Sequence, residues 1–388
     1  MIGMHFMGYR RTDGHVGIRN HVVVMPGCIC SAGAARKICE KSGATYLYNP
    51  NGCAQDARDT AMTLEILSGL IANGNVYGAL IVGLGCESIQ EARYMEAIRK
   101  KTDKPVRYIS IQKEGGLGRT VAHGLELVAQ LQQEARACRR ESCDISELIV
   151  GLECGGSDPT SGFSINVVLG NTSDRLVDLG GTTILCETPE AIGAENILKR
   201  RGCTPQVGQQ LYDAVLANER RHLEAGEDIR NVNPSPGNKA GGLTTLEEKS
   251  IGCVHKSGTR PFQAVYSYGQ MVDKKGLVFM DGTAYDVAST MSLIAGGAQL
   301  VVFTTGLGTP VGSAIAPVLK ATGNGHTAQW LEDIIDFDSS ASITGEKTVE
   351  ALGDELLKYI RRVCDGELVK AEINGISDMA IDQMGSYC

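Results

Sequence analysis

The sequence LIVGLECGGSDPTSGFS, residues 148–164, decides the fold of this chain. Its apolar start predicts a short buried strand that ends at Glu153 and Cys154. In an open α/β sheet, ligands bind where loops leave the carboxyl ends of the strands. A thiol, carboxylates, a hydroxyl and two glycines arrive together here, and glycines let a backbone approach a ligand closely. The stretch predicts a binding site, although a tight turn around a buried structural cysteine has the same pattern.

Two further strand ends repeat this design. The sequence LIVGLGCE, residues 80–87, places Cys86 after an apolar run, and TYLYNPNGCAQD, residues 45–56, places Cys53 after another. Three strand-end cysteines, each beside glycine and polar residues, predict one site assembled from three loops. The alternative is three buried structural cysteines.

The rest of the chain alternates short apolar runs with longer amphipathic segments. Predicted strands at residues 21–25, 79–82 and 106–109 alternate with predicted helices at 35–41, 59–73, 89–101 and 118–136. This βαβ alternation predicts a parallel sheet. A polar, charged run at residues 137–146 predicts a boundary between two α/β domains, residues 1–140 and 141–388. We expect mostly parallel sheets with Rossmann-like layering but without a dinucleotide fingerprint, because no GxGxxG motif is present.

Composition excludes several functional classes. The 388 residues carry a net charge of −8 with 43% apolar and 21% charged residues, and no basic block, so nucleic-acid binding is not expected. No apolar run approaches the ~20 residues of a membrane span, and residues 1–20 lack a signal-peptide core. We therefore expect a cytoplasmic protein. Its 13 cysteines, an odd number in a reducing compartment, favour metal ligation, a redox role or burial over disulfides.

Three other segments carry residues suited to an anionic ligand. Arg11, Arg19 and Asn20 precede the first predicted strand, where they form either a carboxylate clamp or a solvated anchor. The loop at residues 234–245 holds Lys239 among glycine, serine and threonine, and is either a ligand loop or a flexible linker. The predicted strand at residues 300–303 ends in hydroxyl groups and glycines, which suits a polyol or carboxylate ligand.

Eight stretches, in order along the chain, resemble the galactarate dehydratase/altronate dehydratase family. They are GYRRTDGHVGIRN (8–20), NGC (51–53), GLGCE (83–87), LECGGSDPTSG (152–162), GGTTILCETPEAIGAE (180–195), SPGNKAGGLTTLEEKSIGCVHKSG (235–258), FMDGTAYD (279–286) and FTTGLG (303–308). The resemblance implies an iron-dependent lyase that eliminates water from a sugar-acid carboxylate to give a 2-keto-3-deoxy acid.

The resemblance also implies a partner. Single-chain members carry an additional small N-terminal domain, whereas this chain starts almost at the large region. We therefore expect a large subunit, forming a homo-oligomer, that acts with a separate small subunit containing a SAF-like domain. The large subunit of (2R)-sulfolactate sulfo-lyase, which eliminates sulfite, resembles the same family and gives an alternative function. A non-catalytic metal-binding scaffold subunit is a further alternative. Tyr48 and Asn49 stand where members often have a histidine, which weakens the sugar-acid assignment.

The resemblance and the chemistry together assign candidate roles. A β-elimination needs a base, a positive group that holds the enediolate, and assistance to the leaving group. We predict that Cys53, Cys86 and Cys154 bind iron, as a four-iron–four-sulfur cluster or mononuclear Fe²⁺, with one position open to substrate. Predicted catalytic residues are Lys239 or Lys249, as base or enediolate stabiliser, and His255 for proton transfer; pairing of a lysine with Glu247 or Glu248 is the structural alternative. Predicted substrate contacts are Arg11, Arg19, Asn20, Ser157, Asp158, Asn238, Thr304 and Thr305.

Overall fold

The computed structural model describes residues 4–385. Its strands are β1 His5–Arg10, β2 Val16–Gly17, β3 His21–Pro26, β4 Thr45–Tyr46, β5 Val76–Gly83, β6 Val106–Ser110, β7 Glu141–Asp144, β8 Ile149–Cys154, β9 Thr182–Leu185, β10 Phe262–Tyr266, β11 Gly276–Met280, β12 Leu300–Thr304, β13 Val318–Thr322 and β14 Phe337–Asp338. No helix in this part of the chain is long and apolar enough to cross a membrane.

The α-helices lie between and after these strands. They are α1 Ala32–Ser42, α2 Ala57–Ala72, α3 Glu91–Arg99, α4 Leu117–Ala137, α5 Asn166–Asp178, α6 Glu195–Arg200, α7 Pro205–Glu224, α8 Pro236–Ala240, α9 Leu246–Val254, α10 Asp286–Ala295, α11 Gly325–Trp330, α12 Ala341–Thr344, α13 Val349–Cys364 and α14 Lys370–Ile373. Short 3₁₀ turns at Thr188–Ala191 and His255–Ser257 and a π-helical turn at Ser161–Ile165 complete the region around the site described below.

The strands form three sheets. A four-stranded sheet in the order β4-β3-β5-β6 and a seven-stranded sheet in the order β10-β11-β9-β8-β12-β13-β14 are both parallel throughout. A small antiparallel sheet, β2-β1-β7, joins the start of the chain to the segment between the two parallel sheets. The predicted α/β class with mostly parallel sheets is confirmed.

The strands predicted from apolar runs are present with nearly the same bounds, but two segments differ from expectation. The polar start of the chain was expected to be a loop, yet His5–Arg10 forms β1, which pairs with β7 inside the predicted boundary run. Its residues alternate between exposed and buried, as in a strand with one solvated face. The loop expected at residues 234–245 contains the short helix α8, which is capped by the Ser235 side chain.

Close helix packing connects the two parallel sheets. Helix α2 lies against α10 at Gly69, where an added Cβ would be 2.5 Å from the carbonyl oxygen of Ala295. The amide of Asn73 then donates to the carbonyls of Ile294 and Ala298 at the end of α10. Because the start of α10 borders the site described below, this contact holds the four-stranded sheet in a fixed position relative to that site.

The centre of the seven-stranded sheet is where the strand order changes direction. From β8 the chain continues to β9 on one side, while β12 pairs with β8 on the other side. Such a switch point opens a crevice beyond the carboxyl ends of the strands, where ligands bind in this class of sheet. Cys154 is the last residue of β8 and lies at this crevice.

Candidate functional site

Four buried side chains form a group of potential metal ligands at this crevice. They are Cys154, Glu187, Glu190 and Cys253, and their ligand atoms all lie within 4.8 Å of one another. The sulfur of Cys154 is 3.7 Å from that of Cys253 and 3.5 Å from Oε2 of Glu190. Two thiols and two carboxylates in this arrangement offer the soft and hard donors that divalent transition metals bind.

Three elements place these four side chains. Cys154 ends β8, and Glu187 follows the neighbouring strand β9 with φ of 68°, in the left-handed region that residues other than glycine seldom occupy. The 3₁₀ turn after it brings Glu190 to the same side as Glu187. Cys253 lies near the end of α9, which crosses above the strand ends.

The ammonium of Lys256 lies among the same donors. Its Nζ is 3.0 Å from the sulfur of Cys154 and 3.2 Å from that of Cys253, and it also donates to Glu187. Burial alone would lower the pKa of Lys256, but the two thiols and Glu187 raise it well above its usual range. Lys256 is therefore a buried cation that balances part of the negative charge of the group.

Lys249 provides a second cation, one turn before Cys253 on the same face of α9. Its Nζ lies 2.5 Å from Glu190, and it donates to the side chains of Asn233 and Asn238. Burial by itself would lower the pKa of Lys249, but the neighbouring Glu190 carboxylate has the larger effect and raises that pKa. Lys249 is thus a fixed ammonium at neutral pH.

Two cavities meet at Lys249. The smaller, about 200 Å³, is lined by Cys154, Cys253 and the segments Ser157–Asp158 and Ser161–Phe163, together with His255. The larger, about 470 Å³, is lined by Gly155, Glu190, Asn238, Lys249 and Asp286, among other residues. A polar ligand in the larger cavity would contact Lys249 and Asp286 and would approach the group from the Glu190 side.

Six of the predicted site residues line these two cavities: Cys154, Ser157, Asp158, Asn238, Lys249 and His255. The carboxylate of Asp158 accepts hydrogen bonds from Thr160, Ser161 and Asn324, and Asn238 donates to the carbonyl of Ser157. These bonds hold the loop after β8 in place and leave Asp158 largely engaged within the protein.

Thr304 and Thr305, predicted as substrate contacts, are fully buried at the end of β12. Thr304 donates to Asn166 and to the carbonyl of Glu153, and Thr305 accepts from the amide of Gly308. Both therefore support the loops of the crevice from behind.

The structure does not bring Arg11, Arg19, Asn20 or Lys239 to either cavity. The guanidinium of Arg11 donates to Asn20 and to two carbonyls, and that of Arg19 pairs with Glu372 at 2.7 Å. Asn20 donates to the carbonyl of Ala135, while Lys239 is exposed on α8. The arginines and Asn20 instead connect the start of the chain to the rest of the protein.

The three cysteines predicted to bind iron lie at two different sheets, and iron binding by them stays a prediction. Cys53 and Cys86 lie in the loops after β4 and β5 of the four-stranded sheet, where Ser88 donates to the sulfur of Cys53 at 3.8 Å. Cys154 ends a strand of the other parallel sheet. Within residues 4–385, the Cys154 group is the only one whose three or more ligand atoms lie within 4.8 Å, and it contains neither Cys53 nor Cys86.

Sequence reasoning missed Glu187, Glu190, Cys253 and Lys256 as members of one group. The three-residue spacing of the two glutamates after a predicted strand, and the four-residue spacing of Lys249 and Cys253, were the available signals. It also missed Glu153, which is fully buried beside the group: Ser289 donates to its Oε2, and its Oε1 has no hydrogen-bond partner among the described residues.

Comparison with known proteins agrees with the fold and the motifs. Residues 145–387 match the family model "D-galactarate/Altronate dehydratase, C-terminal", and residues 8–136 match "D-galactarate dehydratase/Altronate hydrolase, second domain".

Similar proteins of known function align over nearly all of the chain. Altronate dehydratase of Bacillus subtilis is 34% identical over 98% of this chain and 78% of its own length. Subunit beta of (2R)-sulfolactate sulfo-lyase from Chromohalobacter salexigens is 33% identical over 98% of each chain. Galactarate dehydratase (L-threo-forming) of Escherichia coli is 33% identical over 94% of this chain and 73% of its own length. This chain therefore belongs to the D-galactarate/altronate dehydratase family and is a lyase.

Proposed function

We propose that this chain is a metal-dependent lyase that eliminates water from a sugar-acid or related hydroxy-carboxylate to give a 2-keto-3-deoxy acid, and that its metal is iron. The observation that carries the proposal is the buried group of Cys154, Glu187, Glu190 and Cys253 beside a polar cavity. The names of the altronate and galactarate dehydratases among its relatives support the same reaction.

The donor set fits a divalent iron. Cys253 accepts a hydrogen bond from the Cys154 thiol, and this bond lowers the pKa of Cys253. Burial by itself would raise the pKa of Glu190, but the ammonium of Lys249 outweighs this effect and lowers it. The orphaned Oε1 of Glu153 adds a buried acceptor next to the group. When bound by Cys154, Cys253, Glu187 and Glu190, iron would supply a Lewis acid for departure of the hydroxyl group.

The protein side chains supply the rest of the chemistry. Lys249 is positioned to hold the substrate carboxylate, and to stabilise the negative charge that this carboxylate gains when the neighbouring C–H proton leaves. Lys256 balances the thiols and Glu187 from the buried side. Burial of Cys154, Glu187, Glu190 and Cys253 lowers the effective dielectric around these charges and strengthens the interactions between them.

A separate small subunit is part of the proposal. Its support is that one relative, aligned over 98% of each chain, is named as subunit beta of (2R)-sulfolactate sulfo-lyase. The same observation favours a second candidate function, elimination of sulfite from (2R)-sulfolactate to give pyruvate.

The test is turnover by the purified chain, loaded with Fe²⁺ under anaerobic conditions, with and without a candidate small subunit. Altronate, galactarate and (2R)-sulfolactate are each supplied, and 2-keto acid and sulfite are measured separately. Formation of a 2-keto-3-deoxy acid without sulfite is the expected result. Sulfite release from sulfolactate alone would select the second candidate, and no product from an iron-loaded chain in any mixture would favour a non-catalytic scaffold.

A further inference from the structure

Asp286 and Lys249 both line the larger cavity. We propose that Asp286 is the catalytic base, which removes the proton from the carbon next to the substrate carboxylate. This inference rests on the proposed elimination reaction and assigns a role to the last residue of the stretch FMDGTAYD, to which the sequence analysis gave none.

The position of Asp286 follows from the start of α10. It is the first residue of this helix, and its Oδ2 packs so closely on Gly155 that an added Cβ there would be 2.1 Å away. Gly155 directly follows Cys154, so the carboxylate lies beside the metal-ligand group without belonging to it. A glycine at residue 155 is what allows this approach.

The carboxylate of Asp286 is also free to take a proton. Within residues 4–385, no side chain donates a hydrogen bond to it, whereas the carboxylate of Asp158 accepts four hydrogen bonds. Burial, and next the carboxylate of Glu190, raise the pKa of Asp286 to about 6. Such a group is mostly ionised above pH 7 and is a stronger base than an ordinary aspartate. The titratable groups that face it are Glu190, Glu153, Lys249, Lys256 and, on the cavity wall, His222.

The other candidate bases are less suitable. Lys249 and Lys256 are ammonium groups paired with Glu190 and Glu187, so neither can accept a proton near neutral pH. Lys239 lines neither cavity, and His255 lines the smaller one. His222 on α7 also lines the larger cavity and is the alternative that an experiment must separate from Asp286.

The step balances without an oxidant or reductant. The proton on C2 of a 2,3-dihydroxy acid moves to Asp286, and the electron pair of the C2–H bond forms the C2–C3 double bond. The C3–O bond breaks, its electron pair leaves with the hydroxyl group, and the proton taken from C2 is the one that converts the departing hydroxide to water. The resulting enol tautomerises to the 2-keto-3-deoxy acid, and Asp286 is left ionised.

The experiment compares Asp286→Asn, Asp286→Glu and His222→Gln with the wild type, all loaded with Fe²⁺. Asp354→Asn, an exposed aspartate on α13, is the matched control. Turnover, deuterium incorporation at C2 of the recovered substrate in D₂O, iron content and the pH profile are measured with the substrate that the wild type converts. We expect Asp286→Asn to lose about 10²–10⁴-fold in kcat and in deuterium exchange with unchanged iron content, and Asp286→Glu to recover part of it.

The pH dependence of activity, and the variant in which it is lost, distinguish Asp286 from His222 as the base. Because the base must be ionised in the free enzyme, wild-type kcat/KM should fall at low pH, where Asp286 is protonated, and this limb should be absent from the residual activity of Asp286→Asn. Activity of Asp286→Asn within threefold of wild type, or loss of the limb in His222→Gln instead, overturns the assignment while leaving the elimination reaction standing. An iron-loaded wild type that converts no substrate overturns both.

Discussion

Replacing Lys256 with methionine tests whether a buried positive charge holds the candidate site together. The lysine side chain is 0% exposed, as is that of its partner Glu187, and its Nζ lies within 3.2 Å of two sulfurs. Methionine has a similar length, so the change removes the charge and leaves the apolar packing nearly intact. Glu187 and the thiol of Cys253 then lose a common partner inside the protein.

The expected magnitude follows from that burial. Removing one member of a buried ion pair costs about 3–5 kcal/mol, because the remaining charge is left unpaired. For domains of roughly 150–250 residues, each kcal/mol lowers Tm by about 2–4 °C, so Lys256→Met should melt about 6–20 °C lower. The deficit should be smaller at low pH, since protonation of Glu187 removes the unpaired charge.

The assay is differential scanning calorimetry in a chelating buffer, which keeps metal from replacing the lost cation. Lys358→Met is the control, since Lys358 is 64% exposed and pairs with Asp354 on the surface of α13. A surface pair of this kind contributes about 0.3–0.5 kcal/mol. If Lys256→Met unfolds within 1 kcal/mol of the wild type, Lys256 does not hold the site together and the charge balance described above is incorrect.

Three further predictions concern the packing, the charge and the metal. Gly170→Ala should lower Tm and displace the turn that carries Lys256, because the added Cβ would be 2.2 Å from the carbonyl oxygen of His255. Gly118→Ala is the control: its Cβ would have no atom within 4 Å, so Tm should be unchanged or higher. Thermal melts compare the two variants. Asp286→Asn should be more stable than wild type by up to about 3 kcal/mol at pH 8 but not at pH 3. The pKa of Asp286 is about 6 in the folded protein against the ordinary 3.8, so the wild type loses stability as pH rises through this interval. Urea unfolding at both pH values measures the difference, and equal stability of the two proteins at pH 8 would contradict the prediction. Adding Fe²⁺ at 100 times its Kd should raise the free energy of unfolding of the chelated protein by about 2.7 kcal/mol, and an unchanged Tm would argue against metal binding to the folded chain.

The sequence predicted well those elements whose formation is local. The strands predicted at residues 21–25 and 300–303, which are β3 and β12, were bounded to within one residue because each is a continuous apolar stretch followed by glycine or hydroxyl residues. Strand β1 was missed because HFMGYR reads as polar, and its pairing partner β7 lies more than a hundred residues away. Strand β1 is stabilised by its hydrogen bonds to β7, and a local sequence pattern does not reveal a partner so far away in the chain.

The site was predictable only in part for the same reason. Cys154 was found because it ends an apolar strand in a glycine-rich turn. Cys253 and Lys256 reach it across 99 and 102 residues of sequence, from a helix and a turn that carry no strand-end signal. Cys53 and Cys86 share the local pattern of Cys154 but follow strands of the other parallel sheet, and a local pattern contains no information about how the two sheets are arranged.

The most direct test of the proposed metal group is the iron content of two cysteine variants prepared and loaded under the same anaerobic conditions. Cys253→Ser removes a thiol from the buried group, whereas Cys53→Ser removes a thiol of the four-stranded sheet. If Cys154, Glu187, Glu190 and Cys253 bind the metal, Cys253→Ser will lose most of its iron and Cys53→Ser will retain the wild-type amount. Full iron in Cys253→Ser together with loss in Cys53→Ser would contradict the account.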